Sequence, residues 1–327
     1  MKRGEHAGAP RRDGIGIDAL SDGDLQDIHL ASLEILERTG LWVEADDALD
    51  VYRDGGCKVD RDSRIVRIPP SIVEAAIAST PPTIRWCGRN PGHDIVLGGG
   101  RLAFMNFGEA IRINDLDSGE NRPTVLSDVA DICTVVDWCS DIDVYEAAIT
   151  PRDCHEEVAT IHHFAEALPR ITKPMMFGPL SKLEIQSCFA MAAAVAGGQD
   201  ELRHRPITGF GMCMVSPLQL PIQGSMVCLE TARMGLPLSI LSMCMAGGSS
   251  PQTLAGTLAL HNAEVLAGIT LVQLAVRGTP ILYSSSTTAM DLRLGSASVG
   301  TPETGLLNAS IAQIARRYSI PSWVAGL

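Results

Sequence analysis

Apolar and polar positions along this chain follow two different periods, and the change of period separates an N-terminal segment from the rest. From Ser21 the spacing is helical. Leu25, Ile28, Ser32, Ile35 and Leu36 share one face, behind the opening Ser21-Asp22-Gly23-Asp24 and ahead of Thr39-Gly40. A second helix is expected over 46–54, ended by Gly55-Gly56. A short strand, Ile65-Val66-Arg67-Ile68, stops at Pro69-Pro70, and a third helix capped by Ser71 closes before Pro81-Pro82. Residues 1–18 are rich in Gly, Arg and Pro and are expected to be a mobile tail, which leaves 19–101 as an α-rich N-terminal segment.

From residue 102 short apolar runs take over. Five of them begin with a proline: Pro174, Pro206, Pro237, Pro280 and Pro321. Proline suits a strand's first residue because it lacks only a donor. Two earlier runs, 102–107 and 142–149, extend the series to seven strands. A second proline set, at Thr150-Pro151, Ser216-Pro217, Ser250-Pro251 and Thr301-Pro302, offers a hydroxyl N-cap and a proline at the first helical position, with Gly178-Pro179 as a weaker copy. Strand, loop and helix recurring at intervals of about 30–45 residues imply parallel β/α units. A doubly wound sheet has room for seven strands, whereas a closed (β/α)8 TIM-type barrel needs eight. On the barrel reading, 102–327 holds seven strands and lacks the last unit. The chain alone is then expected to be poorly soluble and inactive, because an open barrel has unpaired edges.

Composition narrows the function classes. Lys+Arg is 26 against Asp+Glu 38, a net charge of −12, and aromatics are 4%. Both argue against a nucleic-acid partner. The 46% apolar content rules out wholesale disorder. The nine cysteines are scattered, without a Cys-x-x-Cys pair, and read as reduced thiols. The N-terminal charges are not followed by an apolar run, so no signal peptide is read, and the expected location is the cytoplasm. The apolar stretch 254–276 is broken by His261, Asn262 and Glu264. Its uncharged runs fall short of the ~18 residues a membrane helix needs. It is expected to be a buried helix.

In either α/β fold the chemistry sits at the C-terminal ends of the strands. The longest such loop follows the sixth strand and carries two acids, Asp291 and Glu303, as catalytic candidates. The competing readings are an ion pair with Arg293 for Asp291 and a helix-dipole carboxylate for Glu303. Gly247-Gly248-Ser249 precedes a helix and would let a cofactor approach the backbone closely. No Gly-x-Gly-x-x-Gly follows a strand, so a nicotinamide site has no support. Tyr145, Tyr283 and Trp323 lie on strands and could line an alkylammonium pocket through cation–π attraction, or serve as ordinary core aromatics. Met212-Cys213-Met214 and Met243-Cys244-Met245 echo each other on neighbouring strands and read as polarizable core filler rather than a zinc set. No metal-ligand set is assigned. His155-Glu156-Glu157 fails the His-Glu-x-x-His pattern at Ala159, His162 and His163 read as surface or packing residues, and His261 reads as a satisfied core histidine.

The run Leu20-Ser21-Asp22, Ile28 to Leu36 and Gly40-Leu41-Trp42-Val43 resembles the opening of trimethylamine:corrinoid methyltransferases. So do Gly88-Arg89-Asn90-Pro91, Leu97 to Gly100, Thr172-Lys173-Pro174 and Leu294 to Gly300, in the same order, from about residue 19 onward. The resemblance implies a TIM-type barrel that moves a methyl group from trimethylamine to the Co(I) of a separate corrinoid (cobalamin) protein, with no cofactor held tightly by this chain. It implies more chain beyond residue 327 and pyrrolysine near position 328, encoded by an in-frame amber codon. It also implies methanogenesis-type metabolism. A homo-oligomer is expected, with no membrane partner. A glycine betaine-type enzyme acting on a quaternary amine is the nearest alternative, and a non-catalytic methylated-amine-binding protein is the alternative from another class.

Overall fold

The computed structural model describes residues 18–325, so the expected tail lies outside the described residues except for Asp18. The chain divides into two units. One is Thr83–Gly211 with Met234–Pro237; the other holds residues 18–82, Met212–Arg233 and 238–325.

Six parallel strands carry the fold, and they are numbered here in chain order: β1 (Tyr145–Glu146), β2 (Met175–Phe177), β3 (Thr208–Met214), β4 (Leu238–Ser242), β5 (Ile281–Ser285) and β6 (Ser322–Val324). The last five follow the five prolines named above, so proline placement located them. In the first unit β2 pairs in parallel with β1 on one side and with the start of β3 on the other. In the second unit β5 sits between β4 and β6. Helices alternate with the strands, as the units of a βα fold require.

The expected first strand at 102–107 is not a strand. Only an isolated bridge joins Met105 to Val144. The reason is local. Asn106 presents its side-chain amide to Glu146 in place of a backbone ladder, accepting from Glu146 N–H at 3.0 Å and donating to its carbonyl at 2.7 Å. Two residues on, Gly108 approaches Ala147 so closely that a Cβ would stand 1.9 Å from the Ala147 carbonyl oxygen. The floor of the first unit is plugged by Trp86, fully buried, whose ring would touch a Cβ at Gly209 at 3.0 Å.

In the second unit the first helix, Asp22–Glu34, is capped as expected. Ser21 and Asp24 form a reciprocal capping box, and Gly40 at φ +79° ends the π turn that follows. The helix Asp46–Asp54 and the strand Ile65–Arg67 are where the pattern puts them. The third helix, Pro70–Ser79, begins two residues earlier than expected, with Pro69 rather than Ser71 at the N-cap. The segment is less purely helical than its sequence reads. Leu41–Val43, Lys58–Asp60 and Ile65–Arg67 form a small sheet with Gln219–Leu220.

The helix Leu254–Ala275 is buried continuously from Thr257 to Gln273. It is long and apolar enough to cross a membrane, but protein surrounds it. Of the expected Ser/Thr-Pro helix starts, only Thr301-Pro302 is one, opening Pro302–Arg317. Ser216 is drawn away from capping by a buried carboxylate described below, and the helix after Ser250-Pro251 is capped instead by Thr253.

Candidate functional site

Two carboxylates stand at the C-terminal ends of β1 and β2. Glu146 is the last residue of β1, and register pairs it with Met176, on the opposite face of the sheet from Tyr145. Its Oε2 is buried without a hydrogen-bond partner. Glu109 reaches over the end of β2, with Oε1 lying where a Cβ on Gly178 would be 3.6 Å away. Its other oxygen has a long 3.5 Å contact from the Thr150 hydroxyl. Burial and then the Glu109 charge push the Glu146 carboxyl up to about 8. Burial, with the charge of Glu184, also pushes Glu109 upward against the pull of Thr150. Glu109 is exposed and Glu146 half-buried, so neither acid is sealed in a core. A carboxyl pushed up to about 8 can give a proton at neutral pH.

The second unit holds a different kind of carboxylate. Glu264, on the buried helix, is 0% exposed and accepts from four donors. Ser242 Oγ lies 2.6 Å, Ser216 Oγ 2.8 Å and Cys244 Sγ 3.4 Å from Oε2, while Leu218 N–H lies 2.8 Å from Oε1. These donors follow or end β3 and β4. One turn earlier His261 Nδ1 lies 3.1 Å from Thr287 Oγ1, just past β5. Thr287 Oγ1 donates to the Ser242 carbonyl, which leaves the imidazole nitrogen to donate to Thr287. His261 Nε2 is buried without a partner, so this histidine is only half satisfied, and burial lowers it to about 3. An open apolar groove of about 520 Å³ adjoins this cluster through the turn Pro217-Leu218, and is lined also by Trp42 and Ile65, without a titratable side chain in its lining.

The residues picked from sequence fall differently. Tyr145 and Tyr283 are fully buried among helix residues: Tyr145 Oη is 2.6 Å from His163 Nε2, and Tyr283 Oη donates to Asn262 Oδ1 at 2.8 Å. Both rings pack the strand–helix layer, which is the core-aromatic reading. His163 is buried there too, not on the surface, and burial lowers it to about 4. Trp323 is half-buried and pairs opposite Ser284, on the other face of the sheet from Tyr283. The long loop is a β-hairpin, Thr288–Asp291 with Ser296–Ser298. Asp291, the catalytic candidate, has Oδ1 accepting from the backbone N–H groups of Arg293 and Leu294, which gives it a turn role in place of the competing ion-pair reading. Glu303 lies exposed in the first helical turn, where the dipole reading puts it. Gly247-Gly248-Ser249 does not leave a cofactor cradle: a Cβ on Gly248 would meet Met290 Sδ at 2.3 Å, and Ser249 Oγ is taken by Met245 N–H. Glu109, Glu146 and Glu264 were not picked. For Glu146 the available signal was an acid inside a core strand; for Glu264, an acid inside the most apolar helix.

A family model described as trimethylamine methyltransferase (MTTB) matches residues 3–327. The chain belongs to that family. Trimethylamine methyltransferase MttB of Desulfitobacterium hafniense (strain DSM 10664 / DCB-2) is 44% identical over 98% of this chain and 64% of its own length. MttB1 of Methanosarcina acetivorans is 35% identical over 98% of this chain and 66% of its own. The glycine betaine methyltransferase of D. hafniense (strain Y51) is 32% identical over 94% and 64%. The chain thus spans about two-thirds of the length of these family relatives. The crystal structure of Methanosarcina barkeri monomethylamine methyltransferase (MtmB) is similar in fold, with TM-score 0.57 and 13% identity over 93% of this chain and 67% of that one. The fold is α/β with parallel strands, as expected; where seven strands were expected in this chain, the main parallel sheet has six among the described residues.

Proposed function

We propose that this chain belongs to a methyltransferase that moves a methyl group from trimethylamine to the Co(I) of a separate corrinoid protein. The observation that carries the reading is the family match over residues 3–327. One feature of the first unit supports it: leaving dimethylamine needs a proton, and Glu146 at the end of β1, its Oε2 buried without a donor, has its carboxyl pushed up to about 8. The corrinoid is the methyl acceptor and belongs to the partner; this chain's part is to bind the amine, orient it and manage its proton.

The test is single-turnover methylation of a corrinoid protein by the enzyme carrying this chain, with trimethylamine and glycine betaine in parallel. Preference for trimethylamine supports the reading. Preference for glycine betaine would transfer the chain to the quaternary-amine branch. Amine binding without methyl transfer would make it a binding protein.

A further inference from the structure

We propose that Glu264 is a positioning residue for this methyl transfer: its carboxylate fixes the ends of β3 and β4, and with them the side chains of Cys213, Val215 and Met243. The reaction itself rests on the function proposed above. The positioning rests on geometry within one unit.

Alternation along the strands sets the faces. On β3, Met212 and Met214 are buried while Cys213 is exposed, and Val215, the next residue after β3, is exposed too. On β4 and beyond, Ser242 and Cys244 are buried and Met243 is exposed. The buried set meets Glu264, through the hydroxyl of Ser242 and the thiol of Cys244; the exposed set is a soft, apolar row at the strand ends. Glu264 therefore ties two neighbouring strand ends from behind. Through Ser216 Oγ and Leu218 N–H it also holds the turn that follows β3. His261, one turn away on the same helix, ties the third end through Thr287. A buried carboxylate is stable only with its lone pairs filled, and here four donors fill them. Removing it releases all four at once, so the strand ends lose their common anchor. The chemistry face of a parallel α/β fold lies at those ends. The row of Cys213, Val215 and Met243 matches the N-methyl groups of the substrate in polarity.

Two readouts separate positioning from bulk stability. The first is steady-state methyl transfer by Glu264→Gln, with Ser216→Ala as a milder variant that removes a single donor. Glu264→Gln is expected to lower kcat by about 100-fold, the scale of a 1 Å misplacement, with a smaller change in KM; Glu264→Asp should recover part of the loss. The second needs no turnover. Although Cys213 is exposed at the surface, the protein atoms crowding its sulfur desolvate the thiol and, with the Glu264 charge, push it up to about 12, so Cys213 should react slowly with iodoacetamide in the unaltered protein. In Glu264→Gln its labelling, followed by peptide mass spectrometry, should accelerate and move to lower pH. Folded variants with wild-type kcat and unchanged Cys213 labelling would overturn the proposal. If Glu264→Gln does not fold, Ser216→Ala decides: a kcat drop of several-fold supports the proposal and wild-type kcat overturns it. If the unaltered enzyme turns over neither amine, the proposed function fails, and the labelling profile still decides whether Glu264 sets the strand ends.

Discussion

Glu146 and Glu264 are the same residue type near strand ends in different units, and they are opposites in hydrogen bonding. Glu264 has four donors on its carboxylate and is sealed. Glu146 has a buried oxygen with no donor, faces Glu109, and is pushed to about 8. Satisfying a buried carboxylate turns it into a structural anchor; withholding donors keeps its proton on and makes it available for exchange. Hydrogen-bond accounting, more than burial, tells which acid builds and which acid reacts.

The largest effect should come from removing the satisfied acid. Glu264→Ala orphans four donors and is expected to cost about 3–5 kcal/mol, the scale of breaking a buried charged contact, read by thermal or urea unfolding. A loss under 1 kcal/mol would mean that water or rearrangement satisfies the donors and that Glu264 is no anchor.

Glu146→Gln should behave in the opposite way. A carboxyl raised from its ordinary 4.5 to about 8 on folding takes up a proton. Its contribution to stability is fully present below about pH 4.5 and is lost as pH rises through about 8. The unaltered protein's melting temperature should therefore fall across that window from this group, and the Gln variant should be flatter and more stable at pH 8. Equal slopes in both proteins would remove the contrast between the two acids.

A smaller loss is expected of Tyr283→Phe. It leaves Asn262 Oδ1 without its donor, at a cost of about 1–3 kcal/mol. The ring faces a helix, so KM for the amine should stay unchanged. A raised KM would restore Tyr283 to the pocket that its sequence position suggested. Smallest of all, Glu303→Gln should lose about 0.3–1 kcal/mol through the helix dipole, with kcat intact; a loss of kcat would return Glu303 to the chemistry.

Much of the frame was legible because it depends on local rules. Prolines 174, 206, 237, 280 and 321 each stand just before an observed strand, and Ser21 with Asp24 announced the first helix. The strand expected at 102–107 failed because a side chain, Asn106, takes the ladder's place, and no periodicity encodes that substitution. The site was less legible. Aromatics on strands fit either pocket walls or the core, because alternation leaves open which face meets a helix; contacts from Asn262 and His163, on helices, put Tyr283 and Tyr145 in the core. Glu264 looked like an interruption in an apolar helix until Ser216, Ser242 and Cys244 converged on it.

The most direct test of the contrast is an infrared titration of the carboxyl C=O stretch, taken as the difference between the unaltered protein and Glu146→Gln. The account predicts a protonated-carboxyl band at pH 6 that titrates away near pH 8 and is missing from the variant. A Glu146 that is already ionised at pH 6 would contradict it, because the unpartnered acid would then hold no proton to give.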